Sequence, residues 1–335
     1  MRVRETKSNL IFATGLMVGF LSIRFMLDAK AFTAQVTYLM RAVKNEERKD
    51  SGESNSSLVA HRSRILCWIM TGPKNLESRA RHIRNTWAKR CDKMLYMSSE
   101  KTGFPTVGLN VSEGRDNLYW KTIRAFQYIY QNYLDEAEWF LKADDDTFMV
   151  VENLRYTLSR YDPEEPVYMG RRFTPFISQG YMSGGAGYVL SKEALRRFIK
   201  GFDTGECTHI SSIEDMAMGK CMETMKVEPA DSRDMKGRQT FHPYSPDYYL
   251  VRQPPGPLPW YMLYEYYTPF LGPNCCSDFS VSFHYIYGDQ LYVLEYLTYH
   301  LRAYGYKYRF SPHKSIELNT TSVRAARGDA KLPRT

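Results

Sequence analysis

Three carboxylates in a row, Asp144, Asp145 and Asp146, close the stretch WFLKADDD, where an apolar run suited to a core leads straight into concentrated negative charge. Like charges this close destabilise one another unless something positive lies between them. In an extended backbone Asp144 and Asp146 point to one side and Asp145 to the other. Two same-side carboxylates make a hard, oxygen-rich site suited to Mg²⁺ or Mn²⁺, ions that also bind phosphate oxygens. A solvated acidic turn is the alternative. The strand WFLKA before the triplet and FMVV after it favour the metal site. Two further segments carry candidate chemistry. YMSGGAGYVLS sets Gly184, Gly185 and Gly187 before a strand-like YVL and a helix start at Ser191. Glycines there let backbone approach a ligand closely, although a structural bulge would use the same residues. HISSIEDMAMGKC places Glu214 and Asp215 at a helix start, where either could serve as a general base or as an N-terminal helix charge.

These groups need a scaffold, and the flanking sequence supplies one. RILCWIMTG reads as a buried strand ending in a glycine turn, and NLESRARHIRNTWAKRC has a helical pattern. KMLYMSS is a second strand. YWKTIRAFQYIYQNYL, Tyr119 to Leu134, is an amphipathic helix with Ile123, Phe126, Ile129 and Tyr130 at helical spacing. EWFLKA then leads to the aspartates. Strand and helix alternate, which predicts an α/β sheet with helices on both faces. Ligands in such sheets sit at the carboxyl ends of the strands, where the triplet lies.

The 335 residues, with 43% hydrophobic content and 26 tyrosines, suit a folded globular chain. The net charge of +8 is spread in pairs such as Arg171-Arg172 and Arg196-Arg197. With no nucleic-acid motif beside it, that charge does not suggest a nucleic-acid partner. Residues 1–8 read as a cytoplasmic tail and 9–27 as an uncleaved signal-anchor, with positive charge before the apolar run. Residues 28–62 form a polar luminal stem, 63–312 the folded domain, and 313–335 a basic, small-residue tail. Sequons at Asn55, Asn110 and Asn319 agree with a luminal body. So do six cysteines in three local pairs (Cys67 and Cys91, Cys207 and Cys221, Cys275 and Cys276) with no CxxC metal spacing.

RILCWIMTGP, NTWAKRC, EGRDNLYWKTIRAFQY, WFLKADDDT, QGYMSGGAGYVLSKEAL, SSIEDMAMGKCME and GPNCCSDFSVSFHY together resemble the core 1 β1,3-galactosyltransferase family, within the β1,3-glycosyltransferases that include the fringe enzymes. The resemblance runs from about Arg64 to Tyr308. It implies a GT-A fold, a single Rossmann-like mixed-sheet domain with a DxD metal site. It also implies a single-pass type II membrane protein of the Golgi or endoplasmic reticulum. The implied reaction uses Mn²⁺ and UDP-galactose to place galactose, with inversion, on the 3-hydroxyl of GalNAcα-Ser/Thr in glycoproteins and glycopeptides. The family suggests a homodimer, and a dedicated chaperone is known among its relatives.

By the same resemblance Asp144, Asp146 and His284 would hold the metal. Met70, Glu113, Gly114, Arg115, Lys121 and Tyr285 match nucleotide-contacting positions, Asp215 the catalytic base and Trp260 the tryptophan that packs on the acceptor sugar. The chain departs from the family's pattern at Met262 and Glu265, beside Trp260. Three rivals stand against an active galactosyltransferase: a catalytically silent paralogue acting as a folding partner, a secreted carbohydrate-binding module, and a fringe-type N-acetylglucosaminyltransferase. The silent relative lacks the triplet, and a binding module has no need of the nucleotide-site segment.

Overall fold

The computed structural model describes residues 63–251 and 260–305. The tail, anchor and stem expected over 1–62 and the tail expected over 313–335 lie outside them. Among the described residues no helix is long and apolar enough to cross a membrane.

Seven strands build the central sheet: β1 (Ile65–Met70), β2 (Lys93–Ser98), β3 (Thr106–Gly108), β4 (Trp139–Asp144), β6 (Val167–Gly170), β9 (Tyr188–Ser191) and β10 (Glu228–Ala230). Their order is β10-β6-β9-β4-β1-β2-β3. β1 runs parallel to both β2 and β4, with Met70 opposite Asp144, so the acidic triplet opens at the carboxyl edge of parallel strands. β9 is antiparallel to β4 and β6, which makes the sheet mixed. This is the α/β arrangement that the alternation predicts, with the mixed sheet that the family resemblance implies.

Alternation along β1 divides the core. Leu66 and Trp68 face helix α2 (Leu118–Tyr133), and Phe126 meets Trp68 edge-on with ring centroids 5.2 Å apart. Ile65, Cys67 and Ile69 face the other layer, with Ile83, Trp87 and helix α3 (Val151–Leu158). α2 starts one residue before the amphipathic helix read from sequence. The helical pattern over 75–91 is realised differently, as short turns around a five-residue helix α1 (Arg81–Asn85). Thr86 ends α1: its backbone leaves the helical region and its hydroxyl donates to the His82 carbonyl at 2.8 Å.

A second, small sheet brings His284 beside Asp146. β12 (Ser282–Phe283) pairs antiparallel with β5 (Phe148–Met149) and parallel with β11 (Phe241–His242). His284 follows β12, and Asp146 lies two residues before β5. Their pairing thus joins segments far apart in the chain. β7 (Arg172–Phe173) and β8 (Tyr181–Met182) form a hairpin beside helix α5 (Glu214–Thr224), and Ser191 caps helix α4 (Lys192–Asp203) by accepting from the Ala194 amide. Cys67–Cys91, Cys207–Cys221 and Cys275–Cys276 are disulfides, the three local pairs seen in the sequence.

Truncating the side chain at the centre of the α2 layer tests this packing. Phe126→Ala should lower the free energy of unfolding by about 3–5 kcal/mol in a denaturant titration; a change under about 1 kcal/mol would contradict the packing described.

Candidate active site

The triplet does not continue β4. The Thr147 amide donates to the Asp144 carbonyl at 3.2 Å, so Asp145 and Asp146 form a tight turn. Trp87 fixes that turn by donating from Nε1 to the Thr147 carbonyl at 3.0 Å. The turn still sends Asp145 away from its neighbours, as the extended reading expected.

Each carboxylate has its own positive or donor partner. Asp145 is anchored: Thr71 and Asn75 donate to its Oδ2 at 2.8 and 2.9 Å, and Arg79 reaches its Oδ1 at 3.1 Å. Burial raises its pKa against those bonds. Asp146 divides its oxygens, with Oδ1 3.0 Å from His284 Nε2 and Oδ2 3.4 Å from Arg79 Nη1. Burial would raise the Asp146 pKa, but His284 and Arg79 outweigh it and hold the carboxyl below its ordinary value. Asp144 divides its oxygens in the same way. Oδ1 accepts from Lys142 Nζ at 2.5 Å while Oδ2 faces His284 Nε2 at 3.9 Å.

Asp144, Asp146 and His284 therefore offer three ligand atoms within 4.8 Å of one another. His284 Nδ1 lies 3.3 Å from the Pro243 carbonyl. A carbonyl can only accept, so a hydrogen belongs on Nδ1, the usual second contact of a metal-binding histidine, and Nε2 is the ring nitrogen turned towards Asp144 and Asp146. Two carboxylates and an imidazole fit a divalent first-row cation.

The glycine segment packs around this centre. A Cβ on Gly185 would stand 2.3 Å from the His284 ring, and the Gly185 carbonyl accepts from the Thr147 hydroxyl at 2.9 Å. Gly184 turns both backbone groups to the site: its carbonyl accepts from Lys142 Nζ at 3.1 Å and its amide donates to Asp215 Oδ2 at 3.1 Å. Gly187 closes the turn at φ +77°, a conformation that favours glycine. Asp215 also accepts from the Met216 amide at 2.9 Å, yet burial prevails and its pKa is raised. Glu214 is buried, bonded to the hydroxyls of Thr122 and Tyr188 at 2.7 Å each, and its pKa is raised by that burial.

These residues line one cleft of about 850 Å³, within the range of small-molecule sites. Of the residues singled out in the sequence, it brings together Met70, Glu113, Arg115, Lys121, Asp144, Asp146, Asp215, His284 and Tyr285. Gly114 sits beside the cleft with φ +121°, opening the turn that carries Arg115. The backbone of Trp260 begins a short turn, Trp260–Leu263, and its side chain lies outside the described residues. Lys121 is buried, and its Nζ donates to the Thr71 carbonyl at 2.9 Å and to Glu113 at 2.7 Å. Tyr285 is exposed, with its backbone in the left-handed region at φ 58°.

The cleft lining combines charge and aromatic rings. Arg79, Arg115, Lys121 and the candidate metal ligands supply the charge. Phe173, Tyr181 and Tyr264 form an aromatic wall packed with Met216, the residue after Asp215, while Tyr244 and Tyr261 pack towards Tyr285 beside His284. Sequence reading missed Arg79, Lys142 and this aromatic wall. Lys142 had left a signal, a lysine inside an apolar strand; Arg79 and the tyrosines left none.

A cleft of this kind, at the carboxyl edge of a mixed sheet with a DxD-type metal site, is that of a glycosyltransferase, and comparison with known proteins agrees. The Fringe-like family model matches residues 60–243. Glycoprotein-N-acetylgalactosamine 3-beta-galactosyltransferase 1 of Xenopus laevis is 52% identical over 272 residues, covering 81% of this chain and 76% of that protein. A beta-1,3-glucosyltransferase of Mus musculus is 29% identical over 57% of this chain and 39% of its own length. Among solved structures, a glycosyltransferase involved in the glycosylation of the major capsid of PBCV-1 aligns at 17% identity and a TM-score of 0.30, over 44% of this chain and 71% of that one. The chain belongs to the Fringe-like family of glycosyltransferases, with the glycoprotein-N-acetylgalactosamine 3-beta-galactosyltransferases as its relatives.

The clash at Gly185 gives a direct test of the metal centre. Gly185→Ala should displace the His284 ring and weaken divalent-cation binding at least about tenfold, the scale for groups that orient a ligand. Titration calorimetry reads this; wild-type affinity in the variant would contradict the placement of His284.

Proposed function

We propose that this chain is an inverting galactosyltransferase that moves galactose from UDP-galactose to the 3-hydroxyl of GalNAcα-Ser/Thr on glycoproteins, forming the core 1 O-glycan. The observation that carries the reading is one cleft holding a candidate divalent site, cations, an aromatic wall and a carboxylate, Asp215, that is not among the metal candidates. A nucleotide diphosphate suits the metal and cations, a sugar acceptor suits the aromatic wall, and Asp215, the residue before Met216 of that wall, is the carboxylate left to serve the acceptor. The Xenopus laevis relative supplies the choice of galactose as the transferred sugar and N-acetylgalactosamine as the acceptor.

Inversion needs one in-line attack, so the base must be a carboxylate other than those at the leaving group. Asp215 meets that requirement. It takes the proton from the acceptor 3-hydroxyl as that oxygen bonds to the anomeric carbon and the bond from that carbon to UDP breaks. Its raised pKa brings it nearer to the acceptor's working pH than an ordinary aspartate would be. Arg79 offers a cation in the cleft beside the candidate metal site, and Lys121 braces the end of β1 by holding Thr71 and Glu113. Asp144, Asp146 and His284 would hold Mn²⁺, which when bound neutralises charge on the departing diphosphate. The aromatic wall offers flat faces to the apolar side of a pyranose.

The positively flanked apolar segment 9–27 would anchor the chain as a type II protein, with this domain in the lumen of the Golgi or endoplasmic reticulum. Three disulfides suit that oxidising compartment. A silent folding partner would have no use for a complete set of two carboxylates, an imidazole and a separate, partly buried aspartate.

The test is transfer by the purified chain from UDP-galactose to a GalNAc-Thr peptide with Mn²⁺. Asp215→Asn should lower turnover about 10²–10⁴-fold while UDP and Mn²⁺ still bind; near-full turnover would remove Asp215 as the base. The base works deprotonated, so kcat/KM should be flat above the raised Asp215 pKa and fall as pH drops through it. That acid limb should lie above the ordinary aspartate value of 3.8. A sugar nucleotide other than UDP-galactose giving the product would overturn the donor assignment.

A further inference from the structure

Lys142 interrupts the apolar course of β4 with an ammonium that is 2% exposed. Lysines are almost never this buried unless paired. Here the pairing is specific: Nζ donates to Asp144 Oδ1 at 2.5 Å and to the Gly184 carbonyl at 3.1 Å, and stands 4.0 Å from Glu214 Oε2. Glu214 is held in turn, because its Oε1 takes both the Thr122 and the Tyr188 hydroxyl and its Oε2 is left towards Lys142. Neither the divalent site nor the proton transfer described above makes use of these two residues.

The chain of contacts has consequences at both ends. Lys142 is the hydrogen-bond donor recorded for the Asp144 carboxylate among the described residues, and the oxygen it takes is the one turned away from His284. Without that donor the carboxylate could rotate, and either oxygen or neither would face the ion. At the other end, Glu214 is the residue before Asp215 on the first turn of α5, and Gly184 bonds Lys142 through its carbonyl and Asp215 through its amide.

We propose that Lys142 is a positioning residue, backed by Glu214, which fixes the Asp144 carboxylate for the divalent ion and joins that ligand to the helix start bearing Asp215. The inference rests on the reading of Asp144, Asp146 and His284 as a divalent site and of Asp215 as the base. It adds a buried cation that sets the geometry of both.

The deciding experiment titrates Mn²⁺ alone into the full chain, without donor or acceptor, and follows the free ion by electron paramagnetic resonance. Lys142→Met should weaken binding about 10–100-fold, the range for groups that orient a metal ligand. Arg171→Met is the control. Arg171 is an equally buried cation, paired with Glu265 at 2.6 Å and outside the cleft lining. Its loss should lower the unfolding midpoint and leave Mn²⁺ affinity unchanged. If Lys142→Met does not fold, Lys142→Met with Glu214→Gln, which removes the stranded carboxylate, carries the same titration. A folded variant that binds Mn²⁺ like the wild type overturns the proposal. At saturating Mn²⁺, kcat of the variant should stay depressed with the acceptor KM unchanged; full recovery of kcat would overturn the link to Asp215. Failure of the wild type to transfer galactose, with the loss of Mn²⁺ affinity intact in the variant, would count against the donor assignment and leave Lys142 in its role.

Discussion

Three consecutive carboxylates at the end of a buried strand are tolerable only because each is answered by a cation or a hydrogen-bond donor. Two like charges about 4 Å apart repel by about 4 kcal/mol at an effective dielectric of 20, and burial strengthens the effect. Arg79 lies against Asp145 and Asp146, and Lys142 against Asp144. Neither cation cancels the site. Each takes one oxygen of a carboxylate in the candidate metal site and leaves the other turned towards His284. Asp145, in the middle, gives up its oxygens to Thr71, Asn75 and Arg79 and so holds the turn in place. The negative charge that remains unanswered is directed to one point.

That point exists because of two pairings across the fold. β1 beside β4 sets Met70 opposite Asp144 and brings Thr71 within reach of Asp145. β12 beside β5 sets Phe283 opposite Phe148, which delivers His284 to the side of Asp146. The glycine turn between β8 and β9 then fits into the space left over. The bare Cα of Gly185 lets the His284 ring pack against it, while the two backbone groups of Gly184 reach Lys142 and Asp215. Rigid strands and a glycine-rich turn, rather than long loops, therefore place the groups that would hold the leaving group and take the proton.

Much of this was legible in the residues. The alternation of strands and helices follows from hydrophobic period, and α2 begins one residue from where that period places it. The triplet's location predicts a ligand site at a strand's carboxyl end. The three cysteine pairs are close enough in sequence to suggest themselves. Other features were not legible, for physical reasons. Period alone cannot show that Thr86 would cut the 75–91 pattern short, because a side-chain bond to the backbone decides it. His284 joins the site through a two-residue strand pairing that has almost no sequence signal. Its place was read through family resemblance rather than spacing. Lys142 breaks an apolar strand, but its partners lie on the glycine turn and α5, which the residues alone do not place beside it, and Arg79 is one of several arginines on a helical stretch.

The central claim is that one divalent ion is clamped by the two outer aspartates and a distant imidazole. Anomalous diffraction at the manganese edge, from a crystal soaked with Mn²⁺ and UDP, addresses it most directly. The account predicts a single strong peak about 2.0–2.4 Å from one oxygen each of Asp144 and Asp146 and from His284 Nε2. A peak coordinated without His284, or placed on Asp145, would contradict it.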